Sequence, residues 1–217
     1  LTITIQADQA DVAAVSLDAK VSDWIILEQH FDLCIYGGDF VAGKPGNMPV
    51  WVKDENGKNI PPTPLGELQP RTPNHDGSND LFSTMAHSYL VSKGLDSWEG
   101  TKVYERPGYV KIGTGSAVGK IATPTFAALG TENVDVAVSL KVAEWPDEQG
   151  GKLVISVEGS GTASLSTYAY LHKKAKSGSE WEEVKFAIQG ASGDTRLVFT
   201  TKGNKRFAID DLIVSVK

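Results

Sequence analysis

The carboxyl-terminal half of the chain alternates apolar and polar residues in short runs from Val134 onward. Side chains on a β-strand point alternately to two faces, so this pattern indicates strands with one buried face. Glycine-rich and polar breaks separate the runs, and no segment between them has the apolar stripe of a helix. The predicted strands are Val134–Val142, Lys152–Val157, Ala163–Leu171, Glu183–Ile188, Arg196–Thr200 and Phe207–Val216. Short strands at such regular spacing predict an all-β sandwich or barrel.

The same rhythm continues toward the amino terminus. Arg106-Pro107-Gly108 predicts a tight turn between two strands, because proline and glycine together favour one. The segment 113–119 is rich in glycine but lies between strands, and a phosphate cradle needs a helix behind it, so we interpret it as a turn. The additional strands predicted are Leu1–Ile5, part of Trp24–Phe31, Lys102–Tyr104, Tyr109–Ile112 and Lys120–Thr123.

Residues 42–100 differ, because prolines and glycines cluster there. A long stretch without strong periodicity is unusual inside a compact domain. We interpret residues 42–100 as a loop-rich insertion within one domain that spans residues 1–217. One short helix is predicted within Asp80–Ser92, with Asp80 as its cap.

Composition narrows the classes of partner. Of the 217 residues, 41% are hydrophobic and 22% charged, which is ordinary for a globular protein, and the net charge is −6. We expect no nucleic-acid partner, since the one basic cluster, His172–Lys176, is followed by a Ser-Gly-Ser turn typical of a solvated hairpin tip. No apolar run is long enough to span a membrane. The chain begins at Leu1 without a signal peptide, so we expect that a targeting segment has been removed.

Motifs for catalysis are scarce. The single cysteine, Cys34, lies among apolar neighbours and is predicted to be a small buried residue. The four histidines form no metal-binding pair, and no nucleophile or phosphate-binding motif occurs. Glu182-Glu183 and Asp210-Asp211 are adjacent pairs, whose members point to opposite faces of a strand and cannot flank one glycosidic bond. Acids from separate loops could still converge, so a hydrolase stays an alternative.

Oxygen-bearing side chains occur near both ends of the predicted sandwich. Residues 28–32 and Asp39 lie near the start, and Asp210-Asp211 interrupt an apolar strand at the end. Calcium binds six to eight oxygens, so the two groups could share an ion if the first and last strands lie side by side. The alternative is one exposed aspartate and one that caps a loop.

Aromatic and cationic residues concentrate around the Pro107-Gly108 turn. Sugars stack on aromatic rings and hydrogen-bond to planar polar groups, which suits this mixture. Trp98 and Tyr109 could instead belong to the core, and for Trp181 a packing role is favoured over ligand binding. Trp145 lies beside a proline in a predicted loop. The candidate ligand-binding residues are Trp98, Tyr104, Arg106, Tyr109, Lys111 and Asp39.

Several segments together resemble the galactose-binding-like, jelly-roll β-sandwich domains of secreted and surface lipoproteins of Bacteroidetes. The resemblance covers about residues 24–217 without the insertion. The matching segments are Leu27–Asp32, Gly37–Asp39, Trp98–Gly100, Val103–Gly113, Gly119–Pro124, Trp181–Val184 and Arg206–Leu212. It implies a role in carbohydrate binding or metabolism outside the cytoplasm, at the periplasm, the outer-membrane surface or in secretion. Contact with a membrane would then occur only through a removed lipid anchor.

The resemblance also implies a structural calcium ion near the first and last strands, with Glu28, Asp39 and Asp211 as ligands. The function that we predict is a non-catalytic glycan-binding module of a secreted or surface protein. The alternatives are a jelly-roll glycoside hydrolase acting on polysaccharide and an adhesive or structural module that binds protein.

Overall fold

The computed structural model describes residues 24–34, 52–53, 59–60, 79–106, 108–145, 150–169 and 181–217. Two short helices, α1 (Leu81–Thr84) and α2 (His87–Ser92), and one 3-10 turn (Ala127–Leu129) accompany the strands of this part of the chain. In chain order the strands are β1 (Ile25–Gln29), β2 (Val52–Lys53), β3 (Asn59–Ile60), β4 (Glu99–Thr101), β5 (Val103–Arg106), β6 (Tyr109–Ile112), β7 (Lys120–Ala122), β8 (Val134–Glu144), β9 (Lys152–Glu158), β10 (Thr162–Ala163), β11 (Thr167–Ala169), β12 (Glu182–Ala191), β13 (Arg196–Thr201) and β14 (Phe207–Val216). The predicted strand Leu1–Ile5 and the predicted hairpin tip at His172–Lys176 lie outside the described residues.

The strands form two large antiparallel sheets. The seven-stranded sheet has the order β10-β12-β8-β14-β6-β5, and β1 pairs with the last part of β14. The five-stranded sheet has the order β11-β9-β13-β7-β4, and β2 and β3 form a separate pair. Apolar side chains from both large sheets belong to one core. The predicted all-β jelly-roll sandwich is confirmed, in the open two-sheet form and not as a closed barrel.

Alternation along β8 shows why these sequences form the sandwich. Val136, Val138, Leu140 and Val142 point to the core and are at most 2% exposed. Burying an aliphatic side chain of this kind contributes about 1.5–3 kcal/mol, so one register is strongly favoured. A slip by one residue would place Lys141 in the core instead, which defines an inner and an outer face for the seven-stranded sheet.

The segment predicted as one strand from Ala163 to Leu171 contains two short strands in different sheets. β10 pairs with β12 in the seven-stranded sheet, whereas β11 pairs with β9 in the five-stranded sheet. The backbone N–H of Ser164 still donates to Ala187, and Ser166 already accepts from Ile155. The chain therefore crosses between the sheets within three residues, which alternation alone does not reveal.

The described end of the 42–100 segment contributes to the core. Leu81, Leu95 and Trp98 are at most 5% exposed and pack with residues of both sheets. Two helices occur where one was predicted. Asp80 makes no side-chain cap bond to α1, which corrects its predicted role; its carboxylate accepts hydrogen bonds from the backbone N–H groups of Lys102 and Val103 instead.

Two local predictions are confirmed. Cys34 is 1% exposed, and burial raises the pKa of its thiol well above the usual range. The segment 113–119 is a turn between β6 and β7, in which Thr114 Oγ1 accepts hydrogen bonds from the backbone of Ser116 and Ala117. Gly119 is required there, since an added Cβ would lie 2.2 Å from the backbone nitrogen of Gly113.

Candidate ligand-binding site

The β5–β6 hairpin brings four of the predicted ligand-binding residues to one face. Tyr104 pairs with Lys111 and Arg106 pairs with Tyr109, so the register continues through the turn. Alternate residues of both strands, such as Val110, belong to the core on the inner face. Tyr104, Arg106, Tyr109 and Lys111 therefore all point outward, and the turn does not reset their direction.

Trp145 directly follows β8 and becomes the centre of this face. Three cations surround its ring, with Arg106 Cζ at 5.8 Å, Lys111 Nζ at 5.1 Å and Arg206 Cζ at 5.3 Å from the ring centroid. Lys111 Nζ also lies 4.3 Å from the Tyr104 ring centroid. All these distances are within the reach of cation–π attraction.

Two alanines in the middle strands provide the space for these large side chains. Ala143 of β8 and Ala208 of β14 pair directly, and both are 0% exposed. Across them Tyr109 and Trp181 meet edge to face, with ring centroids 5.5 Å apart. Together with the cations these residues form what we call the outer-face cluster. Its members are Tyr104, Arg106, Tyr109, Lys111, Trp145, Trp181 and Arg206.

The outer-face cluster is well packed. Tyr104 is 9% exposed and Trp145 is 7% exposed. Burial raises the pKa of Tyr104, and the Asp80 carboxylate adds to this rise while Arg106 opposes it. Arg106 also donates from Nη1 to the backbone oxygen of Glu105 at 2.6 Å, which holds its guanidinium near the sheet.

The edge strand β5 is supported from its inner side. Glu105 is 0% exposed, and its carboxylate accepts hydrogen bonds from Tyr89 Oη at 2.5 Å and forms an ion pair with Lys93 Nζ at 3.1 Å. The Lys93 ammonium also donates to the backbone oxygen of Leu33 at 2.8 Å. Because α2 carries Tyr89 and Lys93 follows it, this buried pair joins the helix to the strand that presents Tyr104.

A second polar site lies on the same sheet, at a bulge in β14. The register of β14 against β8 shifts between Asp210 and Ile213, and Asp211 has a φ of 46°. Such a conformation costs a non-glycine residue roughly 1–3 kcal/mol. It persists because Asp211 Oδ1 lies 2.7 Å from His30 Nδ1 and Oδ2 lies 2.6 Å from Lys141 Nζ. A cavity of about 270 Å³, the His30 pocket, is lined there by His30, Ser139, Lys141, Glu183 and Asp211.

The two described carboxylates of the predicted calcium site both contact His30. Glu28 Oε1 lies 2.8 Å from His30 Nε2, opposite the contact with Asp211. These hydrogen bonds, first to Asp211 and then to Glu28, raise the pKa of His30. Calcium prefers oxygen ligands alone, so in this arrangement an ion would have to displace His30 and Lys141. The third predicted ligand, Asp39, lies outside the described residues.

Trp98 is not part of the outer-face cluster. It is 5% exposed, belongs to the inner core, and packs edge to face against Phe31 with ring centroids 5.8 Å apart. Trp98 therefore lies in the inner core, apart from the other described candidates, and its role in ligand binding stays a prediction.

Trp145, Trp181 and Arg206 were not among the predicted ligand-binding residues. The proline beside Trp145 predicts a loop, whereas alternation from Lys141 through Ala143 indicates that Trp145 points to the outer face. Arg206 is distant in sequence from every predicted site residue. It lies near Trp145 only because β14, which it precedes, packs between β6 and β8.

No helix among the described ranges is long and apolar enough to cross a membrane. No family model matches the sequence, and no curated protein matches it.

Similarity to solved structures is limited. The CBM22-1 xylan-binding domain of Paenibacillus barcinonensis Xyn10C has 13% identity and a TM-score of 0.39, covering 56% of this chain and 86% of that one. The K1 cleaved adhesin domain of Lys-gingipain from Porphyromonas gingivalis has 10% identity and a TM-score of 0.42, covering 56% and 91%. The C-terminal CBM6 of LamC from Zobellia galactanivorans has 13% identity and a TM-score of 0.36, covering 54% and 90%. Values this low carry no argument, so the fold assignment rests on the strand pairing above.

Proposed function

We propose that this chain is a non-catalytic carbohydrate-binding module and that the outer-face cluster is its binding site. The observation that carries the proposal is the arrangement of Tyr104 and Trp145 beside three cationic side chains on one sheet face. Aromatic rings with a few convergent polar groups are the usual composition of a sugar site.

Lys111 has a particular place in this proposal. Its ammonium covers both Tyr104, at 4.3 Å, and Trp145, at 5.1 Å. A lysine side chain has several rotatable bonds, so it can move aside when a sugar ring stacks on either aromatic ring. Its ammonium can then donate hydrogen bonds to sugar hydroxyls, since it carries three donors.

Calorimetric titration with a broad panel of polysaccharides tests the proposal. We expect binding to at least one glycan, and Trp145→Ala should weaken it about tenfold or more, which corresponds to about 1.4 kcal/mol. The matched control is Trp24→Ala, because Trp24 is 51% exposed and precedes β1, away from the cluster. Thermal melting of both variants checks that they fold. Absence of binding across the panel would contradict the proposal.

A glycoside hydrolase is the second candidate, because the carboxylates of Glu183 and Asp211 both line the His30 pocket. Hydrolysis needs one carboxyl group as an acid and the other as a base or nucleophile. Here Glu183 contacts Lys185 Nζ at 2.9 Å, and Asp211 contacts His30 and Lys141. Release of reducing ends by the wild type, abolished in Asp211→Asn, would favour this alternative over pure binding.

A protein-binding module is the third candidate, and it predicts a contiguous exposed apolar patch. In the described ranges the only exposed large apolar residues that are neighbours in sequence are Trp24 and Ile25, at 51% and 47% exposed. The Trp24→Ala variant also tests this alternative, because loss of a protein partner without loss of glycan binding would favour it.

Calcium bound by Glu28, Asp39 and Asp211 stays a prediction. A ligand that binds only the folded state must raise its stability. Thermal melting with calcium and with a chelator, on the wild type and on Asp211→Asn, tests it. We expect a higher melting temperature with calcium in the wild type alone; equal melting temperatures would contradict the prediction.

We propose further that the module acts outside the cytoplasm, as part of a secreted or surface protein. The support is the resemblance to galactose-binding-like domains of Bacteroidetes lipoproteins, which an acidic chain with one buried cysteine accommodates. Cell fractionation with an antibody against the chain tests this location, and recovery in the cytoplasmic fraction alone would contradict it.

A further inference from the structure

The His30 pocket has three features that the outer-face cluster does not explain. It is a cavity of about 270 Å³ on the outer face of the seven-stranded sheet, where Ser139 and Lys141 alternate with core residues of β8. It lies at the bulge of β14, and bulges often redirect side chains next to functional sites. Asp211 in this bulge has a φ of 46°, and costly backbone conformations of this kind cluster at active sites and ligand clamps. Together these features indicate a ligand-binding site.

The charged side chains of the His30 pocket contact one another. Lys141 Nζ lies 2.6 Å from Asp211 Oδ2, and Glu183 Oε1 lies 2.9 Å from Lys185 Nζ. The imidazole of His30 contacts the other oxygen of Asp211 at 2.7 Å. An anionic ligand would meet two carboxylates in the pocket and a cationic ligand would meet an ammonium, so either would have to break a pair. A neutral ligand leaves the pairs intact.

The polar groups of the pocket can bind hydroxyl groups while their ion pairs persist. A carboxylate accepts about four hydrogen bonds and an ammonium donates three, so Glu183 and Lys141 can each bind a ligand without releasing their partners. The hydroxyl of Ser139 both donates and accepts, as sugar hydroxyls do. Leu140 and Ile213 also line the cavity and supply apolar surface for the carbons of a sugar ring.

The size and place of the pocket distinguish it from the outer-face cluster. Pockets for drug-sized ligands have volumes of about 300–1,000 Å³, so a cavity of about 270 Å³ suits a smaller ligand. Lys141 precedes Trp145 by four residues, which is about 13 Å along an extended strand. We infer that the His30 pocket is a second sugar site, which binds one neutral sugar unit through its hydroxyl groups; this inference takes the class of ligand from the proposed function.

Nuclear magnetic resonance of the histidine and tryptophan rings tests the inference, because each site contains one of these rings. The isotope-labelled chain has only four histidines, and the signal absent from His30→Gln identifies His30. The probes are the methyl glycosides of galactose, glucose, mannose, xylose and fucose, added in the presence of a calcium chelator. We expect at least one of them to shift the His30 signal saturably. The His87 signal is the internal control, since its side chain is 75% exposed on α2, and it should not shift.

Two variants assign the response to the pocket. Ser139→Leu should abolish it, because the longer side chain fills the cavity. Glu183→Ala should weaken sugar binding about tenfold, because a charged acceptor is lost. The matched controls are Ala137→Leu, on the same face of β8, and Glu158→Ala, which removes an exposed carboxylate paired with a lysine at 3.0 Å on the other sheet. Both controls should keep the response, and thermal melting checks that all four variants fold.

The possible results separate the inference from the proposed function. If polysaccharide binds at Trp145 and no probe shifts the His30 signal, the second site is overturned and the proposed function stands. If neither probe nor polysaccharide binds, both are overturned. A His30 response that persists in Trp145→Ala supports two separate sites, whereas its loss there overturns their independence. A response that requires calcium, or one that His87 shares equally, also overturns the inference.

Discussion

The inner and outer faces of the seven-stranded sheet are built by alternate residues of the same strands, but their charged side chains have different surroundings. On the inner face Glu105 of β5 forms an ion pair with Lys93, and both side chains are at most 5% exposed. On the outer face three cations surround one aromatic ring. The inner-face pair joins the segment after α2 to β5, whereas the outer-face cations lie within cation–π distance of an aromatic ring.

The two alanines sharpen this comparison. The inner face of β14 carries large residues such as Phe207 and Ile209, while Ala208 between them faces outward. Small side chains at Ala143 and Ala208 leave room for Tyr109 and Trp181 to meet above the sheet. The inner face is covered by large side chains of its own strands. On the outer face the space above the two alanines is occupied by long side chains from neighbouring positions.

The largest expected effect comes from breaking the pair on the inner face. Lys93→Met should destabilise the protein by about 3–5 kcal/mol, because the buried Glu105 carboxylate loses its cation. Urea-induced unfolding measures the change. The double variant Lys93→Met/Glu105→Gln should recover part of the loss, since it also removes the buried charge.

An exposed pair provides the control for that experiment. Lys120 and Glu158 lie 3.0 Å apart with side chains 45% and 48% exposed. Lys120→Met should cost less than about 1 kcal/mol, because solvent screens the pair. If Lys93→Met lowered the free energy of unfolding by as little as Lys120→Met does, the inner-face pair would not be a structural contact.

A smaller effect on stability, and a larger one on binding, is expected from filling the space on the outer face. Ala208→Leu should cost about 1–3 kcal/mol through overpacking. It should also separate Tyr109 from Trp181 and lower the affinity for glycan. Tryptophan fluorescence, thermal melting and calorimetry measure the three consequences.

Ala137→Leu is the matched control, because Ala137 is half-buried at the other end of the outer face of β8. It should leave the affinity unchanged. If Ala137→Leu and Ala208→Leu weaken binding equally, the binding site is not localised at the outer-face cluster.

The smallest effect is expected at a turn that belongs to neither face. Asp194 accepts hydrogen bonds from Ser192 Oγ at 2.7 Å and from the backbone of Ser160 at 3.1 Å, and these lower its pKa. A lowered pKa stabilises the fold above the unfolded-state pKa, and this stability is lost as the pH falls through the folded-state pKa.

Asp194→Asn should therefore flatten the dependence of stability on pH at acidic values and leave glycan affinity unchanged. Chemical unfolding at a series of acidic pH values measures the first effect, and calorimetry measures the second. An unchanged pH dependence would contradict the role of the carboxylate, and a changed affinity would mean that the turn is coupled to the binding face.

Local sequence predicted much of the sandwich. The bounds of Tyr109–Ile112 and Phe207–Val216 coincide with β6 and β14, because period-two burial needs only neighbouring residues to be recognised. The direction of Tyr104 and Lys111 followed from the same rule once the turn kept the register. The prediction of one strand over residues 163–171 was wrong, because alternation identifies a buried face but not the sheet to which a strand belongs.

The sequence by itself determined the strand rhythm and the position of the hairpin that carries Tyr104, Arg106, Tyr109 and Lys111, while the pairing of the strands into two open sheets is a finding of the structure. Only the tertiary structure decided that Trp98 lies inside, that Trp145 and Arg206 complete the cluster, and that His30 lies between Glu28 and Asp211. The physical reason is sequence separation. A strand's alternation is encoded within a few residues, whereas the meeting of β5, β6, β8 and β14 depends on strand order, which no local pattern records.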